Sequence, residues 1–364
     1  TRDLYEIARI LYIKPSFLGP PLTGAVFSGP YYYYFLVPIM KFWDENAVLL
    51  FNSWLFSSAI GVAYLINPSN LFVISIGFFP IYWRAARNPG NAFSYLPLLL
   101  IWLLVLSRKK FWGKWQSFFW GILGGIIVNI HPVSLPIVGL GLLWKSKLSK
   151  IAILGLALSF IPLIVFEIRH NYPMSTAVVS GKFFGLITTT PVLNTPKLGI
   201  FRFEDHYLVP FVFVIWLMTL IKIKKESILK IVFLGILVVL VYNQMPTYKN
   251  SNRVGEMFSR PVDFALDKKW IDKRSKFNVL GIIGNNAFVP SGNEYRYYFI
   301  RRGYFPMSTE NYKNSEILLI FTEDDKFHVS NLKMWETGEF KLEKSSLLNK
   351  ATIGTVSIYE YIKQ

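Results

Sequence analysis

Apolar segments follow one another through the first two thirds of this 364-residue chain, at about 48–66, 69–83, 93–106, 116–130, 132–144, 151–168, 207–221 and 229–242. Such a series leaves few folding solutions, because each segment must bury its apolar surface against another element or against lipid. Several segments are shorter than the ~20 residues that cross a bilayer upright. Flanking Trp, Tyr and Lys side chains extend such segments by lying at the interface. Hydrophobic residues make up 52% of the chain and its mean hydropathy is +0.37, too apolar for an ordinary soluble protein. The expectation is a polytopic membrane protein.

Three loops between the segments are strongly basic: Arg108, Lys109, Lys110 and Lys114; then Lys145, Lys147 and Lys150; then Lys222, Lys224, Lys225 and Lys230. Each is expected on the cytoplasmic side, and two helices separate each from the next, so the three assignments agree. The net charge of +17 is then explained by anionic phospholipid headgroups, not by nucleic acid. The chain has no cysteine, which excludes disulfides, thiolate metal sites and cysteine nucleophiles. The first residue is Thr1 and no leading apolar segment precedes Arg2, so the chain reads as an N-terminally truncated fragment.

Counting outward from the basic loops gives three domains. Residues 1–47 form an extracytoplasmic loop with interfacial helices, because 30–43 is short and opens with Tyr31, Tyr32, Tyr33 and Tyr34. Residues 48–242 form the transmembrane helical domain. Residues 243–364 are richer in charge, with strand-like runs at Phe277–Ile283, Ile317–Thr322 and Thr352–Tyr361 and helical patterns near Val262–Arg274 and Glu294–Arg302. They read as a small soluble extracytoplasmic α/β domain. Residues 1–242 carry only eight acids: Asp3, Glu6, Asp44, Glu45, Glu167, Glu204, Asp205 and Glu226. In this topology all but Glu226 emerge on the non-cytoplasmic face, beside arginines and histidines.

Three stretches concentrate these polar groups. Thr1-Arg2-Asp3-Leu4-Tyr5-Glu6-Ile7-Ala8-Arg9 suits an external helix, where Arg2 and Glu6 stand at i, i+4 and a carboxylate at the membrane boundary could act as a base. Glu167-Ile168-Arg169-His170 ends an apolar segment, either snorkelling at a helix end or clamping a phosphate. Arg202-Phe203-Glu204-Asp205-His206 opens another, as an acidic first turn or as a second phosphate contact. Glu204, His206, His170 and Asp3 have ligand types suited to Zn²⁺ or Mn²⁺, so a divalent metal stays open. No tight spacing such as His-x-x-x-His accompanies them, so no residue is assigned as a metal ligand and no other cofactor is called for. His131, before Pro132, reads as a structural histidine at a turn.

The order Thr-Arg-Asp-Leu-Tyr-Glu-Ile-Ala-Arg, then Gly29-Pro30-Tyr31-Tyr32-Tyr33-Tyr34-Phe35-Leu36, then a series of spans, resembles the GT-C superfamily of polyprenol-dependent glycosyltransferases. The nearest branches are the protein mannosyltransferase-like and aminoarabinose transferase-like proteins. Thr1-Arg2 matches the second half of the family's first-loop motif, whose leading acid would lie just before Thr1. Pro30 to Tyr33 match its Pro-Leu-Tyr-Tyr-like segment, and Arg202 to Pro210 its Arg-Tyr-Leu-Leu-Pro motif, with His206 in the arginine place. Ser28-Gly29-Pro30 departs from the family's frequent His-Pro-Pro.

The resemblance implies a mainly α, polytopic transmembrane helical bundle of the plasma membrane. It also implies inverting sugar transfer from a polyprenyl-phosphate donor to a lipid, glycan or protein acceptor on the extracytoplasmic face. Asp3, or the acid before Thr1, is the expected base, with Glu6 beside it. Arg2, Tyr31, Glu167, Arg169, His170, Arg202, Glu204 and His206 are the expected substrate-binding residues. Two other readings of the chain are a transporter or flippase of lipid-linked saccharides and a structural membrane protein whose outer domain binds a partner.

Overall fold

A computed structural model describes residues 2–19, 21–23, 26–77, 79, 82, 85–86, 91–107, 113–144, 149–180, 197–198, 201–202, 210–215, 217, 255–282, 292–309, 311–323 and 334–364. It divides into two compact units, one made of Thr1–Pro15 with Tyr248–Gln364 and the other of Ser16–Thr247. In chain order, the first unit contributes helix α1 (Arg2–Tyr12). The second contains strands β1 (Pro21–Thr23) and β2 (Val26–Phe27), then helices α2 (Tyr31–Trp43), α3 (Ala47–Ile66), α4 (Asn70–Gly77), α5 (Asn91–Ser107), α6 (Lys114–Ile130), α7 (Leu135–Trp144), α8 (Ser149–Ser159), α9 (Ile161–Arg169) and α10 (Pro173–Val179). It also holds the short antiparallel pair β3 (Lys197–Leu198) and β4 (Phe201–Arg202).

Helices form where most of the apolar segments lie, but they do not make the expected polytopic transmembrane bundle. Among the described residues one stretch, Tyr31–Ile66, is long and apolar enough to cross a membrane; α8 and α9 would add a second if the pair, bent by 54°, counts as one span. The reason is length. Helices α5 and α6 have 17 residues each, α7 has 10 and α4 has 8. At 1.5 Å per residue even 17 residues reach only ~26 Å, short of the ~30 Å hydrocarbon core. Prolines and polar turns interrupt the other apolar segments: His131-Pro132 follows α6 and Pro162 stands in the first turn of α9. The segment expected to lie at the interface, 30–43, instead belongs to the one long stretch.

Small residues make the contact between two helices of this unit. Helices α6 and α8 meet through Ser117, Gly121, Gly125, Ala152, Gly155 and Ser159, all buried, while Trp115, Phe119, Leu154 and Leu158 are exposed. The approach is so close that a Cβ on Gly121 would overlap the Ala152 carbonyl and one on Gly155 the Phe118 carbonyl. Helix α5 is locked to α6 by the stacked indoles of Trp102 and Trp120, 4.3 Å apart. Each ring N–H donates to the other residue's carbonyl, at 3.1 and 3.2 Å.

The other unit is an α/β fold. After helix α11 (Gly255–Asp267) come strand β5 (Phe277–Ile282), helix α12 (Asn293–Arg301), strand β6 (Ile317–Thr322), helix α13 (Trp335–Phe340) and the hairpin β7 (Ser345–Ile353) and β8 (Val356–Lys363). The sheet order is β5-β6-β8-β7, with β5 parallel to β6 and the other pairs antiparallel. Period-two alternation builds a core on each face. Phe277, Val279, Leu319, Phe321, Val356 and Ile358 pack with Phe258, Val262, Tyr295 and Phe299 of α11 and α12. Leu280, Ile282, Leu318, Ile320, Tyr359 and Tyr361 pack with Tyr312, Phe340 and Leu342. The run expected as one strand at Thr352–Tyr361 is the hairpin itself, because Gly354 adopts φ +61° and turns the chain. Helix α1 packs against α12, burying Tyr5, Ile7, Ala8 and Ile10, and Tyr12 accepts a 2.6 Å hydrogen bond from Arg301.

Candidate functional site

In the helical unit the candidate residues gather at the end of α9. Pro162, in the first turn of α9, has no N–H to continue the ladder from α8, and the two helices part at Phe160. Beyond this break Ile161, Ile164 and Ile168 form a stripe along α9, exposed to 48, 48 and 58%. Arg169 and His170 follow at the end of the helix, both exposed. Glu167 is buried.

Glu167 is a helix cap. Its Oε1 accepts the Met174 N–H at 2.8 Å, and its Oε2 accepts the Ser175 N–H at 2.9 Å together with the Ser175 hydroxyl. Those N–H groups open α10 and have no partner within that helix. Between Glu167 and α10 the chain turns through Asn171 and Tyr172, both at φ 59°. Consecutive left-handed residues other than glycine cost roughly 1–2 kcal/mol each. The turn is held by the Glu167 cap and by the Tyr172 N–H, which donates to the Glu167 carbonyl at 2.8 Å.

Arg169 and His170 are each steadied from one side. The Arg169 guanidinium lies 5.8 Å from the centre of the Phe17 ring. His170 stacks on Phe166 at 4.2 Å, and its Nδ1 lies 2.9 Å from the Phe166 carbonyl. A carbonyl only accepts, so Nδ1 carries the proton in the neutral ring and Nε2 is the acceptor. The β1–β2 hairpin backs this corner through Phe27, whose ring meets Phe166 edge-on at 5.9 Å. The Phe27 N–H lies 3.4 Å from Met174 Sδ.

Tyr31 lies at the break. Its hydroxyl donates to the Ser159 carbonyl at 2.8 Å, the same oxygen that accepts the Asn129 side-chain amide at 3.3 Å. Neither Asn129 nor Ser159 was expected to matter. The signal was an asparagine in an otherwise apolar segment, where a polar side chain must find a partner.

The remaining candidates lie elsewhere. Asp3 and Glu6 are on α1 in the α/β unit; Asp3 is buried and Glu6 pairs with Arg9 at 2.8 Å. Arg2 opens α1 and Arg202 lies on β4. Glu204 and His206 fall outside the described residues. Among the described residues no group of three or more acids and histidines is placed to hold a metal.

The α/β unit also contains a fully buried cation that the sequence did not single out. Arg296 donates to the Met307 carbonyl at 2.6 Å, to the Val279 carbonyl at 2.8 Å, to the Tyr312 hydroxyl at 3.1 Å and to Asn278 Oδ1. Tyr312 donates to the Val279 carbonyl at 2.9 Å; burial pushes its phenol up, against the opposing pull of Arg296. Arg296 and Tyr312 thereby both occupy one carbonyl of the edge strand β5, that of Val279.

No protein-family model matches the chain, and no curated protein or solved structure is significantly similar to it.

Proposed function

We propose that this chain is a membrane-bound glycosyltransferase that uses a polyprenyl-phosphate sugar, with the donor's phosphate bound by Arg169 and His170. One observation carries the reading: helix α9, which bears an exposed isoleucine stripe, ends in an exposed arginine and histidine. An amphiphile with an apolar tail and a phosphate head has the same order of chemistry, and arginine binds phosphate through charge-assisted, bidentate hydrogen bonds. The stretch Tyr31–Ile66, long and apolar enough to cross a membrane, supports a membrane location.

In the reaction, an acceptor hydroxyl loses its proton to a carboxylate and its oxygen attacks the anomeric carbon. The bond from that carbon to the phosphate oxygen breaks, and the phosphate leaves with the electron pair. Polyprenyl phosphate is a good leaving group and needs neutralising charge rather than a general acid. Direct displacement inverts the anomeric centre. Glu167 serves the site indirectly, by fixing the turn that carries Arg169 and His170.

The test uses the full chain in lipid nanodiscs with radiolabelled polyprenyl-phosphate hexoses and pentoses. Transfer with inversion is expected, and Arg169→Ala should reduce kcat/KM by at least about 100-fold, the scale of a lost phosphate contact. Unchanged turnover in Arg169→Ala would show that this residue does not bind the donor's phosphate.

A further inference from the structure

Three chain segments far apart in sequence meet at the α8–α9 break. The Ser159 carbonyl accepts the Tyr31 hydroxyl at 2.8 Å and the Asn129 amide at 3.3 Å. The same amide donates to the Gly125 carbonyl at 2.8 Å, which fixes its orientation. The Asn129 carbonyl, near the end of α6, accepts the Gly29 N–H at 2.8 Å. Gly29 lies so close that a Cβ there would overlap the Asn129 side chain.

Asn129 is 1% exposed and its Oδ1 has no hydrogen-bond partner among the described residues. A buried acceptor left unmet is costly, and a leucine would avoid that cost. What the asparagine gains is the break: carbonyls freed where a helix is interrupted in apolar surroundings need side-chain donors. Two donors from two different helices converge on one of them.

We infer that Tyr31 and Asn129 are positioning residues: together they clamp the Ser159 carbonyl, set the angle between α8 and α9, and so place Arg169 and His170. The inference rests on the proposed function for its ligand, though not for the clamp. The leverage is large. Nine residues of α9 extend ~13 Å, so a hinge change of about 10° moves the helix end by ~2 Å. Errors of about 1 Å already disturb a positioned site.

The absence of native cysteine allows a direct measurement. Leu154→Cys and Ile164→Cys, both at exposed positions on either side of the break, take spin labels in the full chain in nanodiscs. Pulsed electron resonance then reports their separation, and farnesyl phosphate serves as the phosphate probe. Tyr31→Phe should shift or broaden the distance distribution. It should also raise the Kd for farnesyl phosphate by about 2- to 12-fold, the equivalent of one hydrogen bond of about 0.5–1.5 kcal/mol. Asn129→Ala should do the same; if it does not fold, Tyr31→Phe decides alone.

A Tyr31→Phe protein with a lower Tm but the parent distance and Kd would overturn the clamp and leave these residues as ordinary stabilisers. If instead Arg169→Ala binds farnesyl phosphate like the parent, the phosphate reading fails. The distance distributions then uphold or reject the clamp by themselves.

Discussion

Glu360 offers a sharp test of how the α/β unit is held together. Its side chain is on the same face of β8 as Val356 and Ile358, opposite Leu319 on β6, and is 1% exposed. One hydrogen bond serves it, from the Asn349 amide to Oε2 at 2.6 Å, across the bulge between Leu347 and Asn349. Burial pushes the carboxyl above its ordinary value, and the Asn349 hydrogen bond only partly offsets this. A folded pKa above the unfolded one means that the native state holds more protons between the two values. Stability is therefore greatest below the unfolded pKa and falls as pH rises through the folded one. Within that window one extra bound proton gives a slope of about −1.4 kcal/mol per pH unit. Glu360→Gln removes the titration while keeping shape and an acceptor for Asn349. The variant should match the parent near pH 4 and exceed it at pH 7. The assay is urea denaturation of the full chain in detergent at half-unit pH steps from 4 to 8, with hydrogen exchange of the β8 amides as the local readout. A difference between variant and parent that stays constant across that range would refute the reasoning.

Two further outcomes follow from the same kind of accounting. Arg296→Met keeps the aliphatic stem but strips hydrogen bonds from Asn278, Val279 and Met307; it should cost roughly 2–4 kcal/mol by chemical denaturation and promote self-association through the β5 edge, whereas Arg302→Ala on the surface should cost about 1 kcal/mol or less. Glu167→Ala uncaps α10 beside the two left-handed residues, so it should cost about 0.5–2 kcal/mol and speed hydrogen exchange at Met174 and Ser175 above all other amides of the helical unit.

Local patterns in the sequence located most of these elements. The apolar run at 48–66 is α3, and the β-rich runs at 277 and 317 are strands of the core sheet. Hydropathy failed where length and breaks decide the outcome. It joined 151–168 across Pro162, where the chain bends, and treated α5 and α6 as spans although each is about one turn too short. It also separated 30–43 from α3, although the two make the one stretch that is long enough. Glu167 shows why the site was only partly legible. A carboxylate at a helix end was visible in the sequence, but its cap on Met174 and Ser175 depends on a left-handed turn that no propensity scale assigns to Asn171-Tyr172. The clamp at Ser159 and the burial of Arg296 depend on tertiary contacts, the first joining residues 128 positions apart.

The docking of α1 on α12 sets a timetable for synthesis. The bond from Arg301 to Tyr12 joins residues 289 positions apart, so α1 leaves the ribosome long before its partner exists. At about 5–20 residues per second, that interval is roughly 15–60 s. During it, Tyr5, Ile7, Ala8 and Ile10 lack the surface that will cover them. Helix α1 is thus made long before the helix it docks on, and a nascent chain stalled before residue 293 should hold it open to proteases and chaperones.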